Sequence, residues 1–163
     1  MLGCDGVVKK AMPGSWPAWQ FPHLKKPQFK ITSEDSPDYN CIAWAARDTT
    51  KWWDPNEDYY WPVGVPREAT VLAFVKVFQT LGYEPCLDAT PENGFEKIAI
   101  YAATNGKATH VARQLSSGKW TSKLGDCEDI EHNNLECLNG NRIDVTGEPL
   151  CYGSPVFYMR RSG

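Results

Sequence analysis

Apolar residues recur at intervals of three and four along one stretch of the chain: Val71, Phe74, Val75, Phe78 and Leu81. That spacing puts them on one face of a helix, predicted over residues 67–81, opened by Pro66 and stopped by Gly82. A second helix is predicted over residues 41–50, with Asn40 as its cap and Cys41, Trp44, Ala45 and Asp48 near one face. The remainder turns to strands. One begins near residues 83–86, and three follow at 95–102, 109–115 and 119–124. Asn105-Gly106 and Ser116-Ser117-Gly118 supply the turns between those three. A short helix is predicted over 126–138, with Ile130, Leu135 and Leu138 as its apolar positions. A Gly/Asn-rich loop at 139–148 and a last strand at 154–160 complete the pattern.

Two segments hold neither period. Residues 1–39 are rich in proline and aromatics, which predicts an irregular arm packed on the domain. Residues 51–66 are broken by Pro55, Pro62, Gly64 and Pro66. Their Trp52, Trp53, Tyr59, Tyr60 and Trp61 either wall a cleft or cap the core. Helices followed by an antiparallel sheet give an α+β class, and 163 residues give one domain, predicted over 40–163.

Composition changes this picture little. Hydrophobic residues at 42% and charged residues at 23% are ordinary for a globular chain. A net charge of −3 removes electrostatic support for binding nucleic acid. No secretory pattern and no run of about eighteen apolar residues is visible, so a cytoplasmic protein without a membrane span is expected. The six cysteines read as reduced and mostly buried, because the chain is not small and shows no export signal.

Cys41 is the exception. A thiol at a helix start lies at the positive end of the helix dipole, which favours the thiolate. A nucleophile also needs a base, and among three histidines His110 opens a strand, while His23 lies in the arm and His132 in the late helix. Candidates to orient the imidazole are Asp126, Asp129 and Ser122; counting back from the Gly118 turn places His110 opposite residues 124–126. Asn40, Trp44, Trp53, Trp61, Gln114 and Ser122 are the expected substrate-lining residues. Arg113, Gln114, Lys119 and Lys123 read mainly as solvent-facing. The alternative to catalysis is a core cysteine in a binding module that uses the aromatic loop 52–61. Cys127-x4-His132-x4-Cys137 is a rival, zinc-stabilised pattern, but it lacks the fourth ligand of a structural zinc. No metal and no cofactor is therefore predicted.

Several segments carry a resemblance: Asn40-Cys41-x-Ala43-Trp44-Ala45, Thr109-His110-x-Ala112-Arg113-Gln114, Trp120-x-Ser122-Lys123-Leu124-Gly125 and Asp129-Ile130-x-His132. With Tyr60-Trp61-Pro62-x-Gly64-Val65-Pro66-Arg67 and Leu81-Gly82-Tyr83-Glu84-Pro85-Cys86, they resemble a bacterial domain family of unknown function, over about residues 40–138. More distantly, the order of a helix-borne cysteine and a strand-borne histidine is similar to the papain-like superfamily. That resemblance implies a papain-like fold and a thiol-dependent hydrolase or acyltransferase acting on an amide or ester carbonyl. Its partner would be a protein, a peptide or a small amide-containing substrate. Cys41 would be the nucleophile, His110 the base and then acid, and Asp129 or Asp126 the orienter. The Cys41 backbone N–H would help bind the oxyanion.

Overall fold

The computed structural model describes residues 16–163. Its elements run β1 (Phe29–Ile31), α1 (Cys41–Ala45), α2 (Val71–Gln79), β2 (Glu84–Cys86), β3 (Phe95–Ala102), β4 (Ala108–Gln114), β5 (Trp120–Lys123), β6 (Asp129–His132), a 3₁₀ turn (Leu135–Leu138) and β7 (Ser154–Ser162). The seven strands form one sheet in the order β1-β6-β5-β4-β3-β7-β2, and every neighbouring pair is antiparallel. The chain is thus mostly sheet, with two short helices.

Both helices are shorter than their patterns predict. The α1 helix has five residues; Arg47 turns left-handed at φ 64° and the Asp48 N–H donates to the Ala43 carbonyl, closing the helix end. Helix α2 starts at Val71 because Thr70, not Pro66, caps it, accepting from the Ala73 N–H at 3.1 Å. The preceding residues are held extended: Thr70 bridges Lys107, and the Ala108 N–H donates to the Ala69 carbonyl.

The helix predicted over 126–138 is instead strand β6 followed by one 3₁₀ turn. Edge pairing decides this, since β6 is hydrogen-bonded to β5 on one side and β1 on the other. Strand β1 itself lies within the predicted irregular arm. Trp16, Phe21 and Leu24 of the arm pack on the sheet.

The sheet has an apolar cluster on each face. Ile98, Ile100, Val111 and Met159 meet α1, α2, Trp53 and Trp61 on the helix side. Ala99, Tyr101, Ala112, Trp120 and Ile130 meet Phe21, Leu138 and Tyr152 on the other. Trp53 and Trp61 thus belong to the core. Tyr59 and Tyr60 are the exposed part of the aromatic loop.

Candidate functional site

Asn40 fixes the start of α1. Its Oδ1 accepts from the Ala43 and Trp53 N–H groups, each at 3.2 Å, and its Nδ2 donates to the Trp53 carbonyl at 2.6 Å. One buried amide thereby caps the helix and ties the aromatic loop to it. Cys41 follows directly, 1% exposed and packed in the helix-side cluster. Burial pushes its thiol up to about 12; the Val111 backbone N–H, which faces it, pulls the other way. The expectation that the helix start favours a thiolate is therefore corrected. A five-residue helix has a weak dipole, and desolvation outweighs it.

His110 lies on β4 beside Val111, on the opposite side of the strand. Val111 pairs with Ile100 in the helix-side cluster, whereas His110 pairs with Tyr101 in the other. No hydrogen bond joins Cys41 to His110. The imidazole is fully buried and stacks on Tyr152, with ring centroids 4.1 Å apart and planes at 12°. Tyr101 meets it edge-on at 5.2 Å. Gly153 makes the stack possible: at φ 76°, a Cβ there would lie 1.9 Å from the Ala102 carbonyl oxygen. Only glycine lets the chain after Tyr152 pass so close to β3.

A chain of hydrogen bonds runs from this ring. His110 Nε2 is 2.9 Å from Ser122 Oγ, Ser122 Oγ is 2.8 Å from His132 Nε2, and His132 Nδ1 is 2.8 Å from the Asn134 carbonyl oxygen. The carbonyl can only accept, so His132 Nδ1 carries the proton and its Nε2 accepts from the serine hydroxyl. Ser122 then accepts from His110 Nε2–H. Every proton is assigned, and His110 Nδ1 is left as a bare lone pair with no partner among the described residues. Burial holds both rings neutral, driving His132 down to about 4 and His110 well below its ordinary value.

The side chain hydrogen-bonded to His110 is Ser122, a serine where an aspartate was expected. Asp129 lies on β6 and accepts from the hydroxyls of Thr32 and Tyr39, the latter at 2.9 Å. Asp126 sits in the turn between β5 and β6, where its charge acts on Lys123. His132, expected in a helix, completes the network because it lies in a strand. Its two-residue spacing from Ile130 is the sequence signal for a shared face.

The expected substrate-lining residues are mostly used internally. Trp44 donates to Thr121 Oγ1 at 2.9 Å, and Trp61 donates to the Pro66 carbonyl at 2.9 Å. Gln114 Nε2 donates to the Ala89 carbonyl at 2.9 Å while the residue borders an open cleft. Arg113, Gln114 and Lys123 are buried, contrary to their reading as solvent-facing. Lys123 Nζ donates to the Ser36 and Gly125 carbonyls at 2.7 and 2.6 Å and sits over the Tyr39 ring; burial lowers its pKa to about 8.

Four described cysteines are free: Cys41, Cys86, Cys137 and Cys151. Cys127 is disulfide-bonded, which corrects the reading of an all-reduced set. Counting cysteines gave no pairing, because only tertiary proximity selects one. With Cys127 bonded and both nitrogens of His132 engaged, the Cys127-x4-His132-x4-Cys137 pattern does not present three free ligands. No group of three metal-ligating side chains occurs among the described residues. Nor does any helix among them have the length and apolarity to cross a membrane.

No curated protein and no solved structure matches this chain. A family model does match, over residues 30–160 and hence most of the sequence. The chain belongs to the family described as Domain of unknown function (DUF7689).

Proposed function

We propose that this domain is a thiol-dependent hydrolase or acyltransferase of papain-like arrangement, with Cys41 as nucleophile and His110 as base. One observation carries the reading. His110 keeps a buried, bare Nδ1 lone pair while Ser122 fixes its other nitrogen, and the next residue's N–H faces the Cys41 thiol. A buried acceptor without a partner calls for a reason, and a general base is one. A base held by a third group on the following strand follows the logic of thiol and serine triads. Ser122 and His132 are positioning residues here.

The chemistry balances simply. Cys41 Sγ attacks an amide or ester carbonyl carbon as its proton passes to His110 Nδ1. The imidazolium gives that proton to the departing amine or alcohol, leaving a thioester on Cys41. Water or an acceptor amine then attacks the thioester, His110 takes the new proton, and the thiol is restored. The thiol and Nδ1 must come within about 3 Å for the transfer, so the reading requires β4 to turn His110 toward the helix side, where Cys41 lies.

The burial of Cys41 favours a second reading, a non-catalytic binding module that meets its ligand through the aromatic loop, where Tyr59 and Tyr60 are exposed. Alkylation by iodoacetamide with peptide mapping separates the two. Cys137 and Cys151, also buried and free, are internal controls. Catalytic pairing predicts that Cys41 labels faster than both at neutral pH and that His110→Ala slows it by about tenfold or more. Labelling of Cys41 no faster than of Cys137, and unchanged in His110→Ala, would overturn the thiol reading in favour of the module.

A further inference from the structure

Arg113 is 7% exposed, yet its guanidinium makes no hydrogen bond or ion pair with any described residue. Its register on β4, opposite Ile98 and Thr121, sets it on the helix side of the sheet. There it lies over the Trp44 ring, 5.2 Å from the centroid. Buried arginines are normally paired, because an isolated charge loses its hydration without compensation. This one borders a cleft of about 550 Å³, within the size range of small-molecule sites.

Arg47 borders the same cleft, and its Nη2 donates to Glu96 Oε2 at 2.7 Å. Glu96 also accepts from the Tyr83 hydroxyl at 2.8 Å and lies 3.8 Å from Arg161 Nη2. Glu92, the other carboxylate side chain at the cleft, is taken by Lys97 at 2.9 Å and by Arg160. The Glu96 carboxylate is thus taken by Arg47 and Arg161, and it acts on Arg113 only through its charge, without pairing. Arg47 adds a backbone observation: it occupies a left-handed position at a helix end, where glycine is usual. Asn93 and Ser116 line the cleft with side chains that make no hydrogen bond among the described residues, and Phe95 and Leu115 give it an apolar wall.

We infer that this cleft binds a small organic anion whose carboxylate or phosphate is clamped by Arg113, with Arg47 at the rim. A planar guanidinium with its donors unspent suits both groups, and each would supply the countercharge the fold omits. The site stands independently of the thiol chemistry and is tested without it.

The test uses the full chain, with sodium phosphate and sodium citrate as probes against sodium chloride at equal ionic strength. The readouts are thermal unfolding and the Nε–H resonance of Arg113. Wild type should gain thermal stability with phosphate or citrate beyond chloride, and the Arg113 signal should shift. Arg113→Gln should lose that gain, with binding weakened by about tenfold or more, while its ligand-free midpoint stays level or rises. Arg113→Lys, which keeps charge and stem but not the fork, should fold and retain only part of the gain. The inference is overturned if neither anion exceeds chloride in the wild type, or if either variant responds as the wild type does.

Discussion

Around β4 and β5, the helix side of the sheet buries Lys123 and Arg113 as cations, one satisfied by carbonyls and the other only resting on an aromatic face. The other side buries His110 and His132 as neutral rings, joined through Ser122. Both sets are about equally removed from water. The difference lies in what each can still do. The histidine network has assigned every proton except one lone pair, so it is a rigid scaffold with a single open position. The helix side keeps an unspent charge beside an open cleft, so it is the side on which a ligand can still gain binding energy. Burial alone does not separate structural from functional polar groups, but the inventory of unused donors and acceptors does.

The helix side loses most if its apolar support is removed. Phe74 is fully buried on α2. Phe74→Ala should cost about 3–5 kcal/mol in urea unfolding. A loss under 1 kcal/mol would mean that α2 does not hold that face.

Acid should strike the opposite side. Burial lowers the His132 pKa to about 4, so in the folded state the ring stays neutral where an exposed imidazole, at about 6.5, would already be charged. Below pH ~6.5 the unfolded chain therefore binds protons that the folded chain refuses. Stability is full above that pH and falls as pH drops toward 4, by roughly 3 kcal/mol for this ring alone. Urea titrations at stepped pH check this, and His132→Gln should flatten the slope. An unchanged slope would mean that the network takes up protons without opening.

Lys123 gives the smallest effect, of opposite placement. Burial lowers its pKa to about 8, so above that pH the folded lysine sheds a proton that the unfolded one keeps. Stability should rise between pH 8 and 9 by no more than about 1.4 kcal/mol. Above that window Cys41, whose thiol is held up to about 12, offsets the rise, because the unfolded thiol ionises first. Lys123→Met should remove the rise; if the rise persists, the buried cation is not its source.

Legibility in the sequence followed the range of the interactions. The helix-side stripe of α2, the span of β3 and the hairpin turns were readable because they rest on local period and glycine placement. Asn40 as the cap before Cys41 was readable for the same reason. The strand at Asp129–His132 was not, since its pairing with β1 joins residues about a hundred positions apart. Lys123 and Arg113 carried no local sign of burial, because an isolated Lys or Arg in a sequence reads as solvated.

The sequence by itself determined an α+β order, a cysteine opening the first helix and a histidine on a strand beyond the second. Those follow from hydrophobic period, capping chemistry and turn residues, which act over a few positions. Only the tertiary structure decided that His110 leans on Ser122 rather than on an aspartate, that Cys41 is a shielded thiol, and that Arg113 is left without a counter-ion. Each depends on which strands become neighbours and how much water is displaced between them, and neither is written in any local stretch of chain.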